Sequence, residues 1–230
     1  MNFIYKIKNF LFPSVCALCG EDLPETEEIR YGICNECKPG ITMPGGNKCN
    51  ICGKPLISEI DTCISCRNRQ SLTALPYEKL WVLYPYTGKY RELLTQYKFN
   101  KKLPLADFFA EQIRNVLNEP ELKDVRIVPV PPRPGKIKEK GWDQVDYLIK
   151  RLRKPFSKCL KRSRSQVQKE LNREERIQNL KGRIYSLGKV PRKALIIDDV
   201  ITTGSTMEVC ASVLKEAGAE KVYGLCLFYD

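Results

Sequence analysis

Residues 194–206 read Ala-Leu-Ile-Ile-Asp-Asp-Val-Ile-Thr-Thr-Gly-Ser-Thr, and these types at this spacing could hold a sugar phosphate. The apolar run predicts a buried strand over Lys193–Ile197, with Asp198 and Asp199 at its solvent-open end, and Met207–Ala217 predicts a helix. The backbone N–H groups of Thr203 to Thr206 would be orphan donors at that helix N-terminus, where the dipole adds positive potential. Gly204 lets the backbone close around a phosphate without a Cβ in the way. Hydroxyls of Thr202, Thr203, Ser205 and Thr206 supply further donors, and Asp198 and Asp199 can accept from vicinal sugar hydroxyls. No Gly-Lys-Ser/Thr follows the glycine and no G-x-G-x-x-G spacing is present, which excludes a Walker loop and a dinucleotide fingerprint here. The bland alternative is an ordinary capped strand–turn–helix.

A second chemistry lies in the cysteines. Of eleven, eight form four C-x-x-C pairs, Cys16/Cys19, Cys34/Cys37, Cys49/Cys52 and Cys63/Cys66, and the chain has no histidine. Two thiolates two residues apart can chelate one tetrahedral ion, and two pairs complete a Cys₄ site, so two structural zinc ions are expected. Gly20 and Gly53 follow the first and third pairs, 33 residues apart, so Cys16–Cys37 and Cys49–Cys66 read as tandem ribbons with sequential ligation. A cross-braced pairing fits almost as well, and an iron–sulfur cluster is the lesser alternative. Residues 12–70 hold few large apolar side chains, so the metal is expected to replace a core. Reduced thiolates imply a cytoplasmic setting.

The elements that must position these groups follow from pattern. Tyr77–Tyr86, Arg126–Val130 and Lys221–Phe228 predict strands, and Gly88–Tyr97, Leu103–Leu117, Val145–Leu152 and Lys169–Leu180 predict helices. Strands alternating with helices predict an α/β domain over residues 77–230 with a parallel sheet and ligands at strand C-termini. Pro129–Pro132 and Asp198–Thr206 should then face one site. Residues 1–11 place Phe3, Ile4, Ile7, Phe10 and Leu11 on one helical face interrupted by Lys6 and Lys8, which predicts a docking helix rather than a signal peptide, with contact at the inner membrane face as the alternative. No apolar run is long enough to span a bilayer.

Charge is uneven. The chain carries +12 overall, and Lys150–Arg164 holds eight cations and no acid: Lys150, Arg151, Arg153, Lys154, Lys158, Lys161, Arg162 and Arg164. A run of this size and sign exceeds what a pyrophosphate needs and points to a polyanion. Single-stranded nucleic acid is favoured because no duplex-reading helix is evident and Trp142 and Phe156 lie nearby to stack bases. Trp81 is assigned to the core.

The fingerprint at Asp198–Thr206 resembles that of the type I phosphoribosyltransferases, which bind phosphoribosyl pyrophosphate (PRPP). Across nearly its whole length the chain resembles the ComF/ComFC (GntX-like) competence group. The resemblance rests on the C-x-x-C ribbons, Tyr97-Lys98-Phe99, Pro129-Val130-Pro131, Lys140-Gly141-Trp142-Asp143-Gln144, the spaced Gln168, Leu171, Arg176 and Asn179, and Asp198–Thr206. It implies that Asp198 and Asp199 bind the ribose hydroxyls, Thr202, Thr203, Gly204, Ser205 and Thr206 the 5′-phosphate, and Val130, Pro131, Pro132 and Arg133 the pyrophosphate. Lys98, Lys140, Gln144, Gln168, Arg176 and Asn179 are further pocket candidates. Lys140 and Asp143 depart from the family's Arg and Asn, and lysine lacks the planar fork that grips phosphate. The implied role is handling single-stranded DNA in natural transformation beside DNA-uptake proteins. A Mg²⁺-dependent transfer from PRPP is the alternative, with a carboxylate, a lysine or the substrate as base.

Overall fold

The computed structural model describes residues 14–43, 45–49, 51–56, 58–70, 75–163, 180 and 182–230. The predicted docking helix, the predicted helix at Lys169–Leu180 apart from its last residue, and Arg164, Gln168, Arg176 and Asn179 lie outside them. Two short helices, α1 (Thr26–Tyr31) and α2 (Ile64–Gln70), belong to the cysteine-rich part. Then follow β1 (Leu80–Pro85), α3 (Gly88–Lys98), α4 (Leu105–Val116), β2 (Arg126–Pro129), α5 (Lys136–Lys140) and α6 (Gln144–Leu152). An antiparallel pair of short strands, β3 (Leu160–Arg162) and β4 (Ile184–Ser186), precedes β5 (Lys193–Ile201), α7 (Ser205–Glu216) and β6 (Lys221–Tyr229). The main sheet is parallel, in the order β1-β6-β5-β2.

Both faces of that sheet are covered, which is why β5 and β6 are apolar almost throughout. Side chains alternate across a strand. Leu195 and Ile197 therefore join one core with α3, α4 and α6, while Ala194 and Ile196 join a second core with α7. The alternation carries Asp199 to the side of α3 and α6, where it meets Lys98 and Gln144, and both acids still reach one cavity.

The predicted strand end at Ile197 is too early. β5 runs on to Ile201 because β6 pairs with it as far as Ile201↔Tyr229. The partner that stops is β2: its register ends at Pro129↔Ile197, Val130 donates one last N–H to the Ile197 carbonyl at 3.0 Å, and Pro131 and Pro132 have no N–H to give. The acids thus lie inside a strand, bare only on the side that β2 has left.

The tandem repeat is real at backbone level. Val15↔Asp22 and Lys48↔Pro55 form matching antiparallel bridges around the first and third cysteine pairs. The expectation of a module held by metal in place of a core needs correction. Leu23, Tyr31, Ile33 and Ile41 are buried in the same core as Phe108 and Phe109, and Tyr31 meets Phe108 edge-on at 6.3 Å. The second ribbon lies against the edge strand β1, where a Cβ on Gly53 would stand 2.8 Å from the Leu80 carbonyl oxygen and 3.0 Å from the Val82 nitrogen. Gly53 also has φ +68°, a conformation other residues resist. Gly53→Ala should therefore lower the stability of the whole chain by roughly 2 kcal/mol. An unchanged midpoint in urea unfolding would show that ribbon and sheet are independent.

Candidate functional site

The thiols group sequentially. Cys16, Cys19, Cys34 and Cys37 form one cluster, and Cys49, Cys52, Cys63 and Cys66 the other, each with ligand sulfurs within 4.8 Å of one another. Cross-bracing is thereby excluded. Backbone N–H groups of Cys34 and Leu18 point at the Cys16 sulfur at 3.4 and 3.5 Å, the kind of donor that stabilises a metal-bound thiolate. Sets of four thiols grouped in this way are compatible with two structural zinc ions.

The second site gathers three motifs that are far apart in sequence. Tyr97, Lys98 and Phe99 at the end of α3 each touch a different element. Tyr97 donates its hydroxyl to the Gln144 carbonyl at 2.6 Å and packs edge-on against Trp142 at 5.3 Å. The Lys98 ammonium reaches Asp199 Oδ2 at 2.8 Å, and the Phe99 ring lies beneath Lys140 at 4.6 Å. The Gln144 amide donates to the same Asp199 Oδ2 at 2.6 Å. Asp199 is buried, contrary to the solvent-open position predicted for it.

Burial alone would raise the Asp199 carboxyl, but the charge and hydrogen bond of Lys98, with the Gln144 amide, outweigh it and hold Asp199 below the ordinary carboxylate range. Asp198 has no such ion pair among the described residues. Burial, then the charge of Asp199, push it well above that range. One acid is kept ionised and its neighbour is biased towards the protonated form.

A cavity of 460 Å³ opens over the pair. It is lined by the predicted Lys98, Val130, Pro131, Pro132, Arg133, Lys140, Gln144, Asp198, Asp199 and Thr206. Lys136, Glu139, Asp143, Arg162 and Ser163 join them. Arg162, expected on a nucleic-acid surface, is half-buried here and shares this cavity, its burial and the nearby Arg133 lowering its pKa. Sequence reading missed Lys136, whose place in the lining and pairing with Asp143 appear only in the fold. Of the phosphate-loop hydroxyls only Thr206 lines the cavity; Thr203 and Ser205 bond each other at 2.9 Å, and Thr202 is exposed. Gly204, at φ +80°, is the N-cap of α7.

Asp143 has a physical account. Its Oδ1 accepts the Asp146 N–H at 2.8 Å and caps α6, a task that Asp and Asn do equally well, and its Oδ2 pairs with Lys136 at 2.9 Å.

A neighbouring groove of 530 Å³ shares Val130–Pro132, Asp143 and Arg162 with the cavity and adds an apolar floor of Ile137, Trp142, Tyr147 and Leu160. Lys150, Lys158 and Lys161 line it too. The basic run has counter-charges that the linear stretch did not reveal: Asp146 holds Lys150 at 3.1 Å and Lys158 at 2.5 Å, and Asp107 faces Arg151 at 3.7 Å. Trp142 is partly buried against Tyr97 and Tyr147, and Arg153 and Lys154 are exposed past the end of α6. Trp81 is only partly buried, packed on Tyr223.

Two domain families match parts of the chain. The double zinc ribbon domain family matches residues 7–67, and the phosphoribosyl transferase domain family matches residues 137–230. The chain is 25% identical to competence protein ComFC of Streptococcus pneumoniae, over 83% of this chain and 84% of that one. It is 26% identical to competence protein ComFC of Bacillus subtilis, over 89% and 90% of the two chains. It is 28% identical to the DNA utilization protein YhgH of Escherichia coli, over 94% and 96%. The α/β part is thus a phosphoribosyltransferase-like parallel sheet with an N-terminal zinc-ribbon module. No helix among the described residues is long and apolar enough to cross a membrane.

The two acids should respond oppositely to neutralisation. Asp199→Asn should cost roughly 1–3 kcal/mol at pH 7, because it strips Lys98 of its partner. Since the folded pKa of Asp199 is depressed, that cost should be present above the ordinary carboxylate range and fade as pH falls through the lowered value. Asp198→Asn should be neutral or slightly stabilising at pH 7, because folding already favours the uncharged carboxyl. Equal destabilisation of the two variants in urea titrations would refute the assignment.

Proposed function

We propose, from the premise that this chain is a homologue of the ComF/ComFC competence and YhgH DNA-utilization proteins that joins a double zinc ribbon to a phosphoribosyltransferase domain, that it handles single-stranded DNA and carries a pocket for PRPP. The observation that carries the pocket reading is the acid pair of β5 and the start of α7 facing Arg133, Lys136 and Lys140 across one cavity. Asp198 and Asp199 then face the ribose, the loop at Thr202–Thr206 binds the 5′-phosphate with backbone N–H groups, and Val130–Arg133 lies along the pyrophosphate. The two ends of PRPP are anionic, and each meets cations or oriented N–H donors.

For the strand, the groove beside the pocket supplies what a base and its phosphates need, an apolar floor with Trp142 and a cationic rim. Names carried by the relatives favour a nucleic-acid role over a metabolic one. The setting we propose is the cytoplasmic side of the membrane, beside DNA-uptake proteins. In the second reading, a transferase, Mg²⁺ would travel on the ligand's own phosphate oxygens, and Lys98 is the cation placed nearest the acid pair.

Calorimetric titration with PRPP, run beside fluorescence anisotropy with a labelled single strand, tests both parts. Both ligands should bind. Reversing Lys154, Lys158 and Lys161 to Glu should weaken strand binding and reduce the slope of log K against log salt by about two, since each lost phosphate contact removes roughly 0.7. PRPP affinity should not change, because none of the three lines the pocket. An unaltered salt slope would place the DNA elsewhere, and failure of either ligand to bind would reject its half of the reading.

A further inference from the structure

A carboxylate pair beside a pyrophosphate site is a natural seat for a divalent cation, yet the donor set here does not offer one. Both lone pairs of Asp199 Oδ2 already receive donors, Lys98 at 2.8 Å and Gln144 at 2.6 Å, and its Oδ1 accepts the Val200 N–H at 2.9 Å. Asp198 Oδ1 accepts the Asp199 N–H at 2.9 Å. A small hard cation needs several oxygens in near-octahedral array, and these donors already occupy three of the four carboxylate oxygens of the pair.

Five cations nonetheless face four acids across the cavity. Lys98, Arg133, Lys136, Lys140 and Arg162 line the same cavity, against Glu139, Asp143, Asp198 and Asp199. Lys136 is engaged with Asp143. An ammonium has three donors; Lys98 gives one to Asp199, and two can serve a ligand in the cavity it lines. The position is fixed from both ends. Tyr97, one residue before, is anchored to Gln144, and Phe99, one residue after, is covered by Lys140.

We propose that Lys98 takes the electrostatic place of the divalent cation in this pocket, so that PRPP binds through the chain's own cations without Mg²⁺, with Asp198 as the acid that meets the sugar. This rests on the PRPP reading above and specifies how that ligand is held. Lys98 acts as a binding and specificity residue, and a neutral side chain there restores dependence on a metal.

The test is calorimetry of the full zinc-loaded chain with PRPP, in buffer freed of divalent ions over a resin and again with millimolar Mg²⁺. A soluble chelator is avoided so that the ribbons keep their zinc. Affinity should agree between the two buffers within about threefold, and a loss above about tenfold on omitting Mg²⁺ overturns the proposal. Lys98→Met should weaken metal-free binding by about tenfold or more and regain part of it with Mg²⁺, while Lys98→Arg keeps metal-free binding. Metal-free binding by Lys98→Met equal to that of the unsubstituted chain also overturns it. Binding with Mg²⁺ alone refutes this inference and leaves the PRPP reading standing, whereas no binding in either buffer refutes both.

Discussion

Burial of one charged carboxylate organises the end of this molecule that holds the cavity. Asp199 cannot be carried into the sheet uncompensated, since an unpaired buried charge costs several kcal/mol. Its compensation comes from Lys98 at the end of α3 and Gln144 at the start of α6. Those two contacts fix the distance between three chain segments. Around them Tyr97, Trp142 and Tyr147 stack edge to face, which locks the helices that present the lysine and the amide. The cavity is the space left over when β2 stops pairing and β5 continues beside β6.

The ribbons extend that logic to the other end of the chain. Metal sites of this kind commonly substitute for a hydrophobic core, but here their apolar residues complete the core of the α/β domain. Tyr31 and Ile33 sit with Phe108 and Phe109, and Cys49, Cys52 and Cys66 lie with Leu80 and Val82 of β1. The second ribbon also shields an edge strand whose free backbone groups would otherwise invite pairing. A metal held by those thiols would thereby be tied to the stability of the sheet that carries the pocket.

Much of this was legible in the sequence for identifiable reasons. The fingerprint at Asp198–Thr206 and the C-x-x-C pairs are local, so spacing alone exposed them. Strand and helix periods placed the α/β order, and the ribbon repeat appeared in Gly20 and Gly53. What failed was non-local. The end of β5 was misplaced because strand length is decided by β6, and the fate of Asp199 because its partners lie 101 and 55 residues away in sequence. The acid-free look of Lys150–Arg164 concealed Asp146, one turn back on the same helix, and Asp107 on α4. Asp143, which looked like a loss against the family pattern, is a helix cap that only the position of α6 explains.

The central claim is that Asp199 is committed to Lys98 while Asp198 meets the sugar, over a phosphate loop at the start of α7. A crystal structure of the chain with PRPP, grown without Mg²⁺, tests it most directly. The account predicts ribose hydroxyls on Asp198, the 5′-phosphate on the backbone N–H groups of Thr203 to Thr206, and Lys98 still bonded to Asp199 with its free donors on the ligand. A ligand lodged away from β5, or a metal ion bridging Asp198 and Asp199 with Lys98 displaced, would contradict it.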